Sequence, residues 1–218
     1  MALGWLQSNT LRWADRAIGR RTTQQFPRRA CMNGTRLLSG ELRSLIIVIH
    51  NAVLNALPDT WMSGRLLRPC LARLMGMKCG KGVTLRRGIY YGNLRNISLG
   101  KGTGVNREVF FDAFETITIG DNVGVGFRTV FVTSTHAIGD GKGRVGELLG
   151  GPIVVEDGVW IGAGATIGPG VTLGEGCVVS AGSVVLRSVP SHVVVVGSPA
   201  RVVKHLTADN NEDGLQGE

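Results

Sequence analysis

Aromatic residues, paired cysteines and long apolar runs are all scarce in this sequence of 218 residues. Aromatic side chains make up only 6% of it, whereas glycine accounts for 33 residues, about twice its usual share of ~7%. This mixture favours a turn-dense repetitive architecture over a globular α/β core. The four cysteines, at positions 31, 70, 79 and 177, show no paired metal-ligand spacing, so reduced thiols in a cytoplasmic protein fit best.

Several functional classes lack their sequence signatures. There is no GxxxxGK[ST] phosphate-binding loop, no Ser–His–Asp order and no cluster of metal ligands, so we predict no bound metal. Residues 1–20 hold no apolar segment followed by a small-residue cleavage site, and we expect no secretory signal. The apolar stretch before Pro58 is interrupted by His50, Asn51 and Asn55 and is too short for a bilayer span, which needs about 20 apolar residues.

The net charge of +8 comes entirely from the first third of the chain. Residues 1–78 hold 12 Lys/Arg and three acids, a balance of +9, and residues 79–218 hold 12 Lys/Arg and 13 acids, a balance of −1. A basic stretch can contact an anionic membrane, nucleic acid or a phosphorylated carrier, or it can simply be solvated. We predict a partly disordered basic arm over residues 1–40. Peripheral contact with the inner face of the membrane is its candidate role, and we expect no nucleic-acid binding.

A strict six-residue period runs through Val155–Val189. Apolar residues recur at every sixth position: Val155, Ile161, Ile167, Leu173, Val179 and Val185. Small or β-branched residues stand four positions after each of them: Val159, Ala165, Val171, Cys177, Ser183 and Val189. Neither the helical period of 3.6 nor strand alternation explains this pattern. A six-residue period predicts a parallel β-helix, in which one hexad forms one flat face and three hexads form one triangular coil.

The rest of the chain is organised around this repeat. Less regular hexads begin at Cys79, and coils are predicted to start near residues 79, 99, 119, 155 and 173. The step from 119 to 155 exceeds one 18-residue coil, which predicts an excursion loop over 136–152 within a β-helix of residues 79–190. We therefore predict a mainly β protein, a parallel β-helix of about five triangular coils. A C-terminal segment over 191–206 and a disordered tail over 207–218 follow it.

Two helices are expected to cap the open first coil over residues 41–78. The first helix is predicted near Glu41–Leu57, and the second near Trp61–Met75 with a kink or break at Pro69. On the second helix, one side is predicted to carry Leu66, Leu67, Cys70, Leu71 and Leu74, and the other side Arg65, Arg68 and Arg73. An interfacial membrane helix is the alternative to a cap. Such a cap is needed because a solenoid cannot leave its terminal repeat uncovered.

The residues from Gly150 onward resemble the hexapeptide-repeat acetyltransferases. The resemblance is strongest to the maltose/galactoside O-acetyltransferases and to enzymes that acetylate polysaccharide or lipopolysaccharide sugars. The matching motifs are VWIG at Val159–Gly162, PGVTLG at Pro169–Gly174, AGSVV at Ala181–Val185 and GSPARVV at Gly197–Val203. The resemblance covers about residues 79–204. It implies a left-handed coil, a homotrimer with three sites between neighbouring prisms, and acetyl-CoA as the donor.

Histidine is the natural base for this chemistry. An acyl thioester is already activated, so its transfer to a hydroxyl needs proton removal, oxyanion stabilisation and exclusion of water. Imidazole is mostly neutral near pH 7 and can accept that proton. His50 is interpreted as structural, and His192 and His205 as solvated. His136 stands where the third coil gives way to the excursion loop, and the resemblance implies that it is the catalytic base, although Ala137 replaces a proline common in the family.

The resemblance also implies acceptor and cofactor contacts. The implied acceptor residues are Asn106, Asp112 and Trp160. Asp112, displaced by about two residues from the family's carboxylate, could orient the histidine or a sugar hydroxyl. Arg144, in the excursion loop, is a further candidate for contact with the acceptor or the cofactor. The implied cofactor residues are Trp160, Gly162, Ala163, Gly164, Ala181 and Gly182, with Arg187, Arg201 and Lys204 on the CoA phosphates. The backbone amides of 162–164 and 181–182 are expected to bind the pantetheine arm and the thioester carbonyl.

Taken together, the sequence predicts an acetyl-CoA-dependent O-acetyltransferase acting on a hydroxyl of a sugar or saccharide, lipid-linked glycans included. Two alternatives stay open: an amine or hydroxylated antibiotic as acceptor, and a non-catalytic trimeric binding or scaffold module. A carbonic-anhydrase-like zinc solenoid would need three histidine ligands, and only one histidine lies in the coils.

Overall fold

The computed structural model describes residues 34–139, 141 and 143–206. The predicted disordered tail and most of the predicted basic arm lie outside these residues. The first helix, α1 (Gly34–Ala56), begins earlier than the predicted Glu41, within the stretch assigned to the arm. Within the described ranges, no helix has the length and apolarity needed to cross a membrane.

Short parallel strands form three flat sheets that wrap into a triangular prism. Face A contains β1 (Lys78–Cys79), β4 (Ile97–Leu99), β7 (Ile117–Ile119), β12 (Ile153–Val155) and β15 (Thr172–Leu173). Face B contains β2 (Thr84–Leu85), β5 (Gly104–Val105), β8 (Gly124–Val125), β13 (Trp160–Ile161), β16 (Val178–Val179), β18 (Val193–Gly197) and the antiparallel β19 (Ala200–His205). Face C contains β3 (Tyr90–Tyr91), β6 (Phe110–Phe111), β9 (Val130–Phe131), β14 (Thr166–Ile167) and β17 (Val184–Val185).

The interior of the prism is filled by the residues that the six-residue period marks as apolar. All six predicted inward residues between Val155 and Val185 are at most 1% exposed, and Cys177 is fully buried. Between the second and third coils Phe111 stacks on Phe131 with ring centroids 5.0 Å apart. Each such side chain contributes about 1.5–3 kcal/mol when it leaves water. The structure has five full coils and part of a sixth, and the predicted parallel β-helix is confirmed.

Helix α1 covers the open edge of the first coil through two asparagines one helical turn apart. The Asn51 amide donates to the Tyr91 carbonyl at 2.9 Å, and the Asn51 Oδ1 accepts from the Tyr91 N–H at 2.9 Å. The Asn55 amide donates to the Ile89 carbonyl at 3.0 Å, and its Oδ1 accepts from the Gly88 N–H at 2.8 Å. These bonds replace the ladder of a missing neighbouring strand, because an edge strand otherwise leaves its backbone groups unpaired.

The second helical segment departs from the predicted facing. A π-helical segment (Ser63–Leu67) runs into α2 (Arg68–Leu74), so the helix changes type just before Pro69. The π-helical turn shifts the later residues around the axis, and a 3.6-residue pattern cannot anticipate that shift. Leu66 and Leu74 are exposed as a result, and Arg68 is fully buried. The predicted placement of Arg68 on one side with Arg65 and Arg73 was therefore wrong, because those two arginines are exposed.

Arg68 ties the cap to the prism. Its Nε donates to the Leu54 carbonyl at 3.0 Å, and its Nη2 donates to the carbonyls of Leu57 at 2.6 Å and Pro58 at 3.0 Å. Its Nη1 reaches the Leu85 carbonyl of β2 at 3.3 Å. The guanidinium thus satisfies the carbonyls at the end of α1, where a cation also complements the helix dipole. Burial lowers the pKa of Arg68 from its usual value.

Candidate active site

The predicted excursion loop is a β-hairpin rather than an irregular loop. It is formed by β10 (Ser134–Ile138) and β11 (Val145–Gly150), and it leaves the prism where face C gives way to face A, which we call the CA corner. His136 pairs with Leu148, and the register shifts between His136 and Ile138. The base of the hairpin is closed by a bond from the Gly151 N–H to the Thr133 carbonyl at 2.9 Å. His136 is therefore carried by a paired strand, with its side chain exposed.

The imidazole of His136 is held by one backbone contact. Its Nδ1 lies 3.0 Å from the carbonyl oxygen of Gly146 on the opposite strand. A carbonyl oxygen can only accept, so in the neutral ring Nδ1 carries the proton. This assignment leaves the lone pair on Nε2, at the exposed side of the ring. An oriented neutral imidazole with an open Nε2 is the arrangement that a general base requires.

Asp112 anchors the strand that carries His136. Its Oδ2 accepts three hydrogen bonds: from the Thr133 N–H at 3.1 Å, the Thr133 hydroxyl at 3.0 Å and the Ser134 N–H at 2.9 Å. Ser134 is the first residue of β10, two positions before His136. Asp112 is thereby placed to position the hairpin. Its predicted contact with an acceptor stays a prediction.

Arg144 lies at the far end of the hairpin. Its carbonyl accepts from the Gly139 N–H at 3.1 Å, and its Nη1 lies 3.5 Å from the Gly139 carbonyl oxygen. The residue closes the turn and leaves its side chain exposed. Its predicted acceptor contact is not tested by this geometry.

A second group of predicted residues gathers where face B gives way to face C, which we call the BC corner. Asn106, Gly162–Gly164 and Ala181–Gly182 occupy this corner in different coils. Gly164 and Gly182 both have φ of +69°, a left-handed conformation that favours glycine. A Cβ at either position would meet no atom within 4 Å, so the surface beside them is open.

Only two of the five predicted amides have a free N–H. The Gly162 N–H donates to Val179, the Gly164 N–H to Phe127 and the Gly182 N–H to Ala163, all at 2.7–2.8 Å. Within the described part of the chain, the N–H groups of Ala163 and Ala181 donate to no protein acceptor. These two amides, one coil apart, are the ones that can bind a ligand.

Trp160 and Lys204 share one row across face B. Trp160 pairs with Val178, Val178 with Val194, and Val194 with Lys204. The indole is 59% exposed, as expected for a side chain that points outward between two inward residues. Arg201 lies on the same terminal strand and is exposed, whereas Arg187 follows β17 at the CA corner.

Two grooves adjoin the BC corner. The first groove, of about 250 Å³, lies on face B between Thr84 and Trp160 and includes Arg86 and Asn106. The second groove, of about 480 Å³, is lined by Arg107, Glu108, Phe127, Arg128, Ala163 and Gly164. The predicted site residues did not include Arg86, Arg107, Phe127 or Arg128.

One signal in the repeat marks Glu108 and Arg128. They occupy the corner position where other coils have Gly88, Gly164 and Gly182, with φ of 59° and 56°. A residue with a Cβ costs about 1–2 kcal/mol in this left-handed conformation. The Arg128 Nε donates to a Glu108 oxygen at 2.6 Å. A backbone cost retained beside a groove is a recognised feature of functional sites.

The carboxylate of Asp59 connects the cap to the first groove. It lies 2.5 Å from the Arg107 Nε, 3.5 Å from an Arg68 Nη1 and 4.0 Å from an Arg86 Nη1. Burial alone would raise the pKa of Asp59. The hydrogen bond and charge of Arg107, the Arg87 N–H and the charge of Arg86 outweigh burial, and together they lower this pKa below its usual value. Asp59 is therefore ionised at neutral pH.

The described residues offer no metal centre, and their cysteines belong to the cap and the prism rather than to the hairpin that carries His136. Cys70, Cys79 and Cys177 are free. Cys70 is exposed on α2, whereas burial raises the pKa of Cys79 and of Cys177 to about 11, which suppresses the reactive thiolate. Across 34–139, 141 and 143–206, no group of three or more His, Cys, Asp or Glu side chains is placed to hold an ion. His50 is half-buried in α1, and burial together with Arg95 lowers its pKa.

The predicted site residues do not all meet within one chain. His136, Asp112 and Arg144 belong to the CA corner, whereas Asn106, Trp160 and the free amides belong to face B and the BC corner. These are different edges of the prism. One chain therefore presents a base at one edge and a groove with free amides at another.

Comparison with known proteins identifies the family. Residues 152–187 match the family model described as bacterial transferase hexapeptide (six repeats). A hexapeptide-repeat acetyltransferase from Vibrio cholerae O1 biovar eltor, solved with acetyl coenzyme A, is 31% identical, with a TM-score of 0.68 over 81% of this chain and 93% of that chain. A maltose O-acetyltransferase from Clostridium difficile 630 is 30% identical, with a TM-score of 0.61 over 80% of this chain and 90% of that chain.

Two further relatives agree with these. A galactoside acetyltransferase solved with coenzyme A is 25% identical, with a TM-score of 0.70 over 81% of this chain and 92% of that chain. A Dictyostelium discoideum protein assigned as an acetyltransferase is 49% identical over 74 residues, which are 34% of this chain and 39% of that protein. The chain belongs to the hexapeptide-repeat acetyltransferases. The predicted family, its acyltransferase class and its left-handed parallel β-helix are thereby confirmed.

Proposed function

We propose that this protein transfers an acetyl group from acetyl-CoA to a hydroxyl of a sugar or saccharide, with His136 as general base. The observation that carries this proposal is the contact of the His136 Nδ1 with the Gly146 carbonyl, which leaves Nε2 free to accept a proton. The maltose and galactoside acetyltransferases among its relatives support a sugar as acceptor. The relatives solved with acetyl coenzyme A and coenzyme A support the donor.

The proposed reaction is a direct transfer. Nε2 of His136 takes the proton of the acceptor hydroxyl while the hydroxyl oxygen forms a bond to the carbonyl carbon of the thioester. The free N–H of Ala163 stabilises the oxyanion that develops on the carbonyl oxygen. The carbon–sulfur bond then breaks, and the protonated imidazole returns its proton to the leaving sulfur. No covalent enzyme intermediate is required, in accordance with the raised pKa values of Cys79 and Cys177.

The donor is proposed to lie along the BC corner. The free N–H groups of Ala163 and Ala181 are one coil apart. With the Ala163 N–H at the thioester carbonyl, the Ala181 N–H suits an amide carbonyl of the pantetheine arm. Trp160 would flank the arm from face B. Arg201 and Lys204 at the end of face B would contact the CoA phosphates. Arg187, at the CA corner, could reach them only from a neighbouring copy.

A homotrimer is proposed because the base and the free amides lie at different edges of the prism. A neighbouring copy can bring its CA corner against the BC corner of the first chain. The complete site would then form between two chains, with three sites in a closed ring.

A peripheral position on the cytoplasmic face of the membrane is proposed for the case of a lipid-linked acceptor. Helix α1 exposes Leu42, Leu45, Ile46 and Ile49 on the side away from the prism. An apolar helix face beside a basic segment favours an anionic bilayer surface. Sedimentation with anionic liposomes, with and without residues 1–40, tests this; equal binding at low salt would remove the arm from the proposal.

The experiment that tests the reaction measures CoA thiol release from acetyl-CoA with a panel of mono-, di- and nucleotide sugars, amines and hydroxylated antibiotics. The wild type is compared with His136→Ala and with His192→Asn, a control at an exposed histidine with a φ of 55° that asparagine tolerates. We expect His136→Ala to lose at least about 10²-fold in rate while keeping its oligomeric state, and the control to keep its rate.

The other outcomes identify the alternatives. An unchanged rate in His136→Ala would refute the base. Thiol release with amines or antibiotics alone would replace the sugar as acceptor. Failure to bind CoA in equilibrium dialysis would favour the non-catalytic scaffold.

A further inference from the structure

The first groove is a gap in the outward side chains of face B. Thr84, Gly104, Gly124 and Trp160 follow one another in a single outward row across four strands of face B. The two glycines contribute no side chain, and a Cβ on Gly104 would meet no atom within 4 Å. The groove is therefore an open gap of about 250 Å³ between Thr84 and Trp160, about the size of a single sugar residue.

The walls of the groove offer complementary chemistry. The Trp160 indole leans over the floor, with its Cδ1 3.6 Å from the Cβ position of Gly124. An exposed aromatic ring gives an apolar surface on which the C–H face of a sugar can pack. The Asn106 amide at the edge can both donate and accept hydrogen bonds with sugar hydroxyls.

The end of the groove opposite Trp160 carries uncompensated positive charge. Arg68, Arg86 and Arg107 share the single carboxylate of Asp59. Three guanidinium groups against one carboxylate leave two positive charges. Arg86 is the member that lines the groove, and at 4.0 Å it is the one held least closely by Asp59.

The neighbouring charged pair does not neutralise this cluster. Glu108 is engaged with Arg128 at 2.6 Å, so that pair is balanced within itself. Guanidinium is a planar donor that binds phosphate and carboxylate through two parallel hydrogen bonds.

We propose that the acceptor is an anionic saccharide, whose sugar ring packs on Trp160 and whose phosphate or carboxylate is bound by Arg86. This inference rests on the proposed function and names the substrate class of that site. It predicts that the charge of the acceptor, rather than the identity of its neutral hydroxyls, dominates selection. Arg86 would then determine specificity and would leave the proton transfer at His136 unchanged.

Equilibrium binding to the full chain tests the proposal without turnover. The probes are glucose, glucose 1-phosphate and glucuronate, measured by titration calorimetry in the presence of CoA. We expect either anionic probe to bind at least about tenfold more tightly than glucose, in line with a charge-assisted hydrogen bond. A gain for glucose 1-phosphate alone identifies a phosphate acceptor, and a gain for glucuronate alone identifies a uronate.

Three variants localise the effect. Arg86→Gln should remove the gain for anionic probes and leave the binding of glucose within about twofold, since its neutral contacts remain. Arg43→Gln removes an exposed arginine from α1 and should leave all three affinities unchanged. Gly104→Val, at an extended position with open space, should weaken all three probes by filling the groove.

The inference fails independently of the proposed function. Equal binding of glucose and both anionic probes, no measurable binding of the anionic probes at millimolar concentration, or an undiminished gain in Arg86→Gln would each overturn it. His136→Ala should keep the full binding pattern, because binding does not use the base. Loss of thiol release with every acceptor would refute the transfer reaction but would not change these affinities.

Discussion

Replacement of Asp112 distinguishes an anchor of the hairpin from a contact with the acceptor. The Asp112 carboxylate accepts three hydrogen bonds at 2.9–3.1 Å from Thr133 and Ser134. Asp112→Ala removes all three and leaves two backbone N–H groups at the base of the hairpin without an acceptor. Asp112→Asn keeps the volume and one accepting oxygen but loses the negative charge.

The expected loss follows from the number and kind of these bonds. A hydrogen bond to a charged group contributes about 1.5–3 kcal/mol net. The three bonds share one oxygen of a half-buried carboxylate, and water can partly take its place. We therefore expect the free energy of unfolding to fall by about 2–4 kcal/mol in Asp112→Ala and by about half of that in Asp112→Asn. Because His136 is only two residues beyond Ser134, a displacement of about 1 Å would reduce the rate about 10²-fold.

The assay combines thiol-release kinetics with hydrogen exchange of the hairpin amides. An anchoring role predicts a lower kcat, little change in KM and faster exchange at residues 134–138. Asp121→Asn is the matched control, since Asp121 also accepts a backbone N–H, from Lys101 at 2.7 Å, at a corner remote from the hairpin. A raised KM with normal kcat and unchanged exchange would refute the anchoring role and favour a direct acceptor contact.

Three further predictions concern the cap. Arg68→Ala leaves four carbonyls without their donor and opens a cavity, so urea unfolding should show a loss of about 3–5 kcal/mol, and an unchanged midpoint would contradict the capping role. Asn51→Ala should destabilise by about 1–3 kcal/mol and speed exchange of the Tyr91 amide, whereas an unchanged exchange rate would mean that the edge is covered otherwise. The pKa of His50 is lowered by burial and by Arg95, so the unfolded state binds more protons than the folded state below about pH 6.5. The free energy of unfolding should therefore fall as the pH drops from about 6.5 toward the pKa of the folded state, and His50→Gln should flatten this pH dependence.

The coils were predictable because their physical requirement repeats. Each hexad must place one apolar residue inside and must turn a corner, so Val155, Ile161 and their successors mark the faces without any knowledge of the rest of the chain. The start of each coil and the interruption after Phe131 follow from the same count. The direction in which Arg68 points did not follow, because a 3.6-residue pattern does not show the π-helical turn before it. The carbonyls that Arg68 binds, those of Leu54, Leu57 and Leu85, are also remote from it in sequence.

The site was less predictable than the fold for a related reason. His136 is identified by where the repeat breaks, but its tautomer depends on Gly146, which only the pairing of β10 with β11 brings within 3.0 Å. The first groove depends on Gly104 and Gly124, which look like ordinary corner glycines until the register aligns them beside Trp160. Such features arise between coils, and a period within the sequence does not contain them.

Mixing two inactive variants tests whether the site is shared between chains. One variant is His136→Ala, which lacks the base, and the other is Ala163→Pro, which lacks the free N–H at the BC corner but keeps its own His136. Each variant alone should be inactive as a homotrimer. In a mixed trimer, a neighbouring pair can combine the intact His136 of one chain with the intact BC corner of the other.

The expected recovery follows from counting chain pairs. With random assembly at equal ratio, each site has a chance of about one half for an intact base and about one half for an intact corner, so about one quarter of the sites are active if they come from different chains. Sites formed within one chain can never combine an intact His136 with an intact BC corner, because each variant lacks one of them. The recovered thiol-release activity would then be zero. The measurement is thiol release after the variants are co-refolded, with separately refolded variants as the control. Zero recovery with demonstrated mixed trimers would refute a site shared between chains, because His136 and the Ala163 amide would then have to meet within a single prism.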